Sequence, residues 1–255
     1  MIPKIIHYCW LSGDPFPDYI QMCIDSWKRM LPEYEFILWD RKRFPAGTSL
    51  WVDQAFEAGK YAFAADYIRL YALYHHGGIY LDCDVEVLEP FDSFLSMETM
   101  MCWQKGIPGL EVAAFGVEPK REWVRSCLER YADRPFIKKN GEYDIEVLPE
   151  IIENHLKEHN YHFIDAEEVL GGKRTCESNE IPVFPPEYFS PKSYLTKKIE
   201  LTDKSFCIHH FAGSWLRTAW YERADKRLKK MFPSLPYAPF EGMVRRWRIY
   251  FKKHQ

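Results

Sequence analysis

The stretch Gly77-Gly78-Ile79-Tyr80-Leu81-Asp82-Cys83-Asp84-Val85 decides how this chain is read, together with the run YAFAADYIRLYALYHH that precedes it at residues 61–76. That run is apolar nearly all round, which predicts a buried helix. Gly77-Gly78 ends the helix, since glycine readily takes the left-handed geometry of a helix C-terminus. Ile79 to Leu81 then reads as a short buried strand, and Asp82 and Asp84 follow it at i and i+2 in a turn. Two ionised carboxylates this close repel one another unless something neutralises them. A divalent cation does so, and hard oxygen donors suit Mn²⁺ or Mg²⁺, which also bind phosphates. A solvated acidic turn is the plain alternative for any isolated D-x-D, and the apolar strand before it weighs against that. Within the helix, Asp66 and Arg69 stand at i and i+3 on one face. The pair is read either as an internal salt bridge that orders the helix or as part of a pocket that binds sugar or ribose hydroxyls.

Working outward, KIIHYCW (residues 4–10) reads as a buried first strand. Ile20, Cys23, Ile24, Trp27, Met30 and Leu31 then repeat with helical spacing until Pro32, and YEFILW (residues 34–39) reads as a second strand. A β-α-β opening implies parallel strands joined by a right-handed crossover, with ligands bound beyond their C-terminal ends. Further strands are predicted over 100–103 and 112–117, and helices over 119–131 and 145–159. FCIHHF (residues 206–211) reads as a last strand and 215–232 as a helix. His209 and His210 end that strand, and Gly213 and Ser214 stand before the helix, where N–H and hydroxyl groups can meet a diphosphate.

Composition narrows the class. The 255 residues are 47% hydrophobic with 13 Gly, which excludes disordered and collagen-like chains. Aromatic residues make up 16% of the chain, more than packing usually needs, and aromatic faces suit sugar rings and flat ligands. The net charge of −3 conceals an asymmetry: residues 217–255 carry eleven Lys and Arg against three Asp and Glu, so the remainder is strongly acidic. An acidic body argues against a nucleic-acid groove. The seven cysteines form no C-x-x-C pair, and no run reaches the ~20 apolar residues of a membrane span. The expected location is cytoplasmic. In the tail, Phe240, Met243, Val244, Trp247, Tyr250 and Phe251 share one helical face, with Arg245, Arg248 and Lys252 opposite. That pattern suits peripheral contact with an anionic membrane through residues 240–255, or equally a terminal helix packed on the domain.

These segments resemble glycosyltransferase family 32, the group with a sugar-binding region containing a DXD motif, which includes bacterial capsular and exopolysaccharide glycosyltransferases. They are also distantly similar to the glucosylating domains of large clostridial toxins. The resemblance rests on Ile2 to Trp10, Ser26-Trp27-Lys28, Trp39-Asp40, Tyr61 to Arg69, Gly77 to Val85, and His210-Phe211-Ala212-Gly213-Ser214-Trp215; residues 98–205 add nothing to it. It implies an α/β chain of GT-A fold, a Rossmann-like mixed sheet flanked by helices, with a catalytic domain over 1–235 and a basic amphipathic tail over 236–255. It implies retaining transfer of a hexose from a nucleotide sugar to a saccharide or lipid-linked saccharide, with Mn²⁺ or Mg²⁺. Asp66, Arg69 and Asp82 are the implied catalytic residues. Trp10, Asp66, Arg69, Tyr80, Asp82, Gly213, Ser214 and Trp215 would bind the nucleotide sugar, and Asp82, Asp84 and His210 the metal. UDP-galactose, UDP-glucose or an N-acetyl form is the expected donor, with GDP-mannose as alternative. No residue announces itself as a nucleophile; Glu111 and the acids of the middle region are the candidates, and front-face attack by the acceptor needs none. Cys83 stands where the family often has Thr or Ala. Two rivals remain. A haloacid-dehalogenase-type phosphatase also places a D-x-D after a strand, although near its N-terminus, and a non-enzymatic binder would be expected to have lost part of this set.

Overall fold

The computed structural model describes residues 1–212; the expected helix at 215–232, the site residues Gly213, Ser214 and Trp215, and the basic tail at 236–255 lie outside the described residues. In chain order the elements are β1 (Ile5–Cys9), α1 (Asp18–Met30), β2 (Glu35–Trp39), α2 (Leu50–Glu57), α3 (Tyr61–His76), β3 (Gly78–Leu81), β4 (Val85–Val87), β5 (Thr99–Trp103), β6 (Leu110–Val117), α4 (Glu122–Glu129), α5 (Leu148–Glu158), β7 (His162–Asp165), α6 (Ala166–Leu170), β8 (Glu180–Val183) and β9 (Cys207–His209). The central sheet has the order β2-β1-β3-β6-β5. β1 is parallel to both β2 and β3, whereas β6 runs antiparallel to β3 and β5. This is the mixed α/β sheet expected of a GT-A fold. The short α2 and the separate parallel pair of β7 and β8 add to the elements expected from the sequence.

Side-chain alternation sorts the core into two layers, as period-2 strands require. Tyr80, Phe115 and Val117 face the layer covered by α2, α3, α4 and α5, where Trp51, Ile68, Val124 and Ile151 are buried. Ile79, Leu81 and Ala114 face the other, which α1 fills with Ile20, Ile24 and Trp27. The apolar, all-round character of α3 follows from its place against the sheet: Phe63, Ala64, Ala65, Ile68, Leu70, Ala72 and Leu73 are all buried. Gly77 closes α3 at φ 65°, and Gly78 brings β3 against β1 so closely that a Cβ there would lie 2.6 Å from the Ile5 carbonyl oxygen.

The strand order places a switch point between β1 and β3. The chain leaves β1 for β2 on one side, then returns across β1 to β3 on the other. The crevice beyond the C-terminal ends of such neighbouring strands is where open α/β sheets bind ligands. Trp10 follows β1 and Asp82 follows β3 at that edge.

Candidate active site

Asp82 and Asp84 are held by backbone on both sides. The Asp82 N–H donates to the Ala113 carbonyl at 2.7 Å, continuing the β3–β6 ladder one residue past β3. The Val85 N–H then closes a turn onto the Asp82 carbonyl at 2.9 Å, which aims the two carboxylates outward from the sheet edge. α1 fixes the next strand: Trp27 Nε1–H donates to the Val85 carbonyl at 2.6 Å, and Ser26 Oγ accepts from the Val87 N–H at 2.9 Å. β9 pairs antiparallel with β4 and sets His209 opposite Val85. A segment more than a hundred residues away thereby reaches the D-x-D.

Arg69 is the hub of the buried charges. It projects from α3, is 5% exposed, and its Nη2 lies 3.2 Å from both Asp66 Oδ1 and Asp82 Oδ1. Its Nη1–H donates to the Val112 carbonyl at 2.8 Å, and the guanidinium sits 4.5 Å over the Tyr80 ring. Tyr80 in turn donates its hydroxyl to Asp82 Oδ1 at 3.0 Å. Burial pushes the Asp66 carboxyl up to about 7 against the pull of Arg69, with Asp82 adding repulsion. The same burial raises Asp82, opposed by Arg69 and reinforced by Asp84. A buried cation shared by two strained carboxylates is what a site does when it must present negative charge at a sheet edge; a helix-stabilising pair alone would not need Asp82.

The expected metal ligands separate here. Asp82, Asp84 and His209 offer donor atoms within 4.8 Å of one another. His209 Nε2 lies 3.6 Å from Asp84 Oδ1, and Asp84 Oδ2 accepts from the Ala212 N–H at 2.7 Å. His210, the histidine singled out by the resemblance, points the other way: its Nε2 is 2.9 Å from Glu86 Oε2, and its ring meets Tyr19 edge-on. His209, the last residue of β9, turns its ring toward Asp84, while the ring of His210 turns toward Glu86 and Tyr19.

Behind His209 lies Glu111, 3% exposed on β6. Its Oε2 is 3.1 Å from His209 Nδ1 and accepts the Ser190 hydroxyl at 2.8 Å, while its Oε1 accepts the Ala113 N–H at 2.9 Å. Burial alone would lower the His209 pKa, but Glu111 and then Asp84 outweigh it and raise it to about 9. Glu111 is thus fully engaged, an orienting partner rather than a free nucleophile. Nothing local in the sequence singles out His209 from His210 or connects it to Glu111.

The donor set fits a divalent cation. It has two carboxylates and one imidazole whose far nitrogen is fixed by a carboxylate, the usual outer partner of a metal-bound histidine. Trp10 stands at the same sheet edge. Its N–H donates to the Trp39 carbonyl, its indole N–H to the Asp14 carbonyl at 2.6 Å, and its ring packs on Phe16 at 4.9 Å. Asp66, Arg69, Tyr80 and Asp82 are brought into one network, while Gly213, Ser214 and Trp215 fall outside the described residues.

Known proteins agree with this region. Residues 17–101 match the family described as "Glycosyltransferase sugar-binding region containing DXD motif". The chain is 27% identical to inositol phosphoceramide mannosyltransferase 1 of Schizosaccharomyces pombe over 54% of this chain and 46% of that protein. It is 38% identical to inositol phosphoceramide mannosyltransferase 2 of the same yeast over 37% of this chain and 28% of that protein. The chain therefore spans less than half the length of these curated relatives. A solved structure titled PaToxG Glycosyltransferase superposes on 62% of this chain and 70% of its own, with TM-score 0.44 and 16% identity. The segment that carries α3, β3 and the two aspartates is the part of the chain that matches the family described by its DXD-containing sugar-binding region.

Proposed function

We propose that this chain transfers a hexose from a nucleotide sugar to a saccharide or lipid-linked acceptor, with a divalent metal. The observation that carries the reading is the junction at the end of β3, where Arg69 ties Asp66 to Asp82 and Asp84 lies beside His209. Asp82, Asp84 and His209 would hold the metal, Mn²⁺ or Mg²⁺, which neutralises the charge that develops on a departing diphosphate. Asp66 and Arg69 would position donor hydroxyls, and Trp10 would stack on the nucleobase. Retention of configuration by front-face attack of the acceptor belongs to the same reading; that route needs no nucleophile, and the buried Glu111 already has three hydrogen-bond partners.

The relatives' names reorder the donors. Both are mannosyltransferases acting on inositol phosphoceramide. A mannosyl donor such as GDP-mannose now stands ahead of UDP-galactose and UDP-glucose, and a lipid-borne acceptor ahead of a capsular polysaccharide. Residues 240–255 would hold the chain at the cytoplasmic face of a membrane; among the described residues no helix is long and apolar enough to cross one. The phosphatase alternative has less support, because Asp82 is bound to Arg69 and Tyr80 instead of standing free as a nucleophile.

The test is a panel of GDP- and UDP-hexoses with Mn²⁺ or Mg²⁺, read as nucleoside diphosphate release and as ligand-induced thermal stabilisation. Release from GDP-mannose alone supports the mannosyl reading, and release from a UDP-hexose restores the original donor. Phosphate release from a generic phosphoester, with no diphosphate released from any sugar nucleotide, overturns the transferase reading.

A further inference from the structure

A second group of metal-type donors lies away from the β3 edge, at the C-terminal end of α5. The buried stripe of α5 runs Leu148, Ile151, Ile152, His155 and Leu156, so His155 takes a core position with 4% exposure. The next turn adds Glu158 and His159, giving His155-Leu156-Lys157-Glu158-His159. Residues three and four apart on a helix share one face. The donor atoms of His155, Glu158 and His159 lie within 4.8 Å of one another.

Hydrogen bonds engage one nitrogen of each ring. His155 Nε2 lies 2.5 Å from the Ser126 hydroxyl on α4, which also reaches the Trp123 carbonyl at 3.3 Å. His155 Nδ1 is buried and without a hydrogen-bond partner among the described residues. Such a buried, unpaired polar atom is costly and uncommon. His159 Nδ1–H donates to the His155 carbonyl at 2.9 Å, which leaves its Nε2 lone pair open. The His155 and His159 ring centroids are 4.0 Å apart. Glu158 uses Oε2 to hold Arg130 at 2.9 Å, and its Oε1 is free of hydrogen-bond partners among the described residues.

We propose that His155, Glu158 and His159 form a binding site for a divalent transition metal of the zinc type, separate from the sugar-nucleotide site. Two imidazoles with one carboxylate suit Zn²⁺, water completes four-coordination, and each imidazole already has its outer nitrogen held against a protein oxygen, as metal-bound histidines do. Donor atoms around a tetrahedral zinc stand about 3.3 Å apart, given Zn–N bonds of about 2.0–2.1 Å. The exposed side chains of Glu158 and His159 can close the remaining gap by rotation, while His155 stays fixed by Ser126 and the core. Mg²⁺ and Mn²⁺ favour oxygen donors, so this site and the β3 edge should sort metals differently.

The experiment is a calorimetric zinc titration of the full, metal-stripped chain carrying Asp82→Asn and Asp84→Asn, which disables the other donor group. One zinc should bind. Adding His159→Gln, a change at an exposed position that leaves the helix intact by circular dichroism, should weaken that zinc on the order of 100-fold or more. Adding Glu158→Gln should weaken it less, and Mg²⁺ should give no comparable heat. Unchanged zinc affinity and stoichiometry in the His159→Gln chain overturns the site, whatever the sugar-nucleotide panel shows.

Discussion

Among the described residues, two clusters of three histidine and carboxylate donors are built in opposite ways. At the β3 edge, Asp82, Asp84 and His209 come together only because β9 pairs with β4 and because Glu111 reaches across from β6. At the end of α5, His155, Glu158 and His159 come from a single helical turn. The first group is a property of the fold. Its buried charges need Arg69, Tyr80 and backbone donors from several segments to be tolerable. The second is a property of local spacing, set against a core that fixes just one member. An assembly from distant segments can present charge where ligands bind, but it is costly to perturb. An assembly from one turn is inexpensive, since helix formation already aligns it.

The largest effect should come from breaking the hub of the first group. Arg69→Met leaves Asp66 and Asp82 buried without their cation, and breaking such a buried pair costs about 3–5 kcal/mol. Chemical denaturation of the variant should show that loss. Asp66→Asn added to Arg69→Met should recover part of it, because one of the two stranded charges is gone. No recovery would mean that packing of the guanidinium on Tyr80, and not charge, is what Arg69 supplies. Asp84→Asn comes next. It leaves Arg69 untouched and should lower metal-dependent diphosphate release on the order of 10²–10³-fold, while zinc binding at α5 persists.

A histidine outside both groups calibrates them. His7, fully buried on β1, accepts from Trp39 Nε1–H at 3.1 Å and donates from Nε2 to the Gly77 carbonyl at 2.8 Å. Both of its nitrogens are used, so it is a structural clasp between β1, β2 and the end of α3. Burial lowers its pKa to about 4. Between pH 6.5 and 4 the unfolded chain therefore binds more protons than the native one. His7 contributes its full stability above about pH 6.5 and loses about 3 kcal/mol as pH falls to 4. Denaturation midpoints measured across that window should show the fall. His7→Gln, though less stable at neutral pH, should show a flatter one.

These contrasts explain what was legible in the sequence. Strands β1, β2 and β3 and helices α1 and α3 could be read because their hydrophobic periods are long and bounded by Pro32 or Gly77-Gly78. Asp66, Arg69, Asp82 and Asp84 could be read because they break an apolar context. The choice of His209 over His210 could not, because it depends on the register of β9 against β4, which is a long-range pairing. Glu111 stands out in the sequence only as a candidate nucleophile, since its partners His209 and Ser190 are 98 and 79 residues away. The α5 group is the reverse case: its spacing is in plain view in the sequence, but what distinguishes it is the buried, unpartnered Nδ1 of His155, and that needs three dimensions.

The finest test of the comparison is Glu111→Gln. The carboxylate orients His209 through Nδ1 and makes the imidazole a better donor, and loss of such an outer partner costs about 10–100-fold in metal affinity. The amide keeps the shape and can still accept from Ser190 or Ala113, so the fold should survive. Mn²⁺ affinity, followed by the paramagnetic relaxation of water, should fall by that factor. Zinc affinity at α5 should not move, because no residue of that group touches Glu111. If both affinities fell together, the two groups would be coupled through β6, against which α5 packs, and the distinction between an assembled site and a local one would fail.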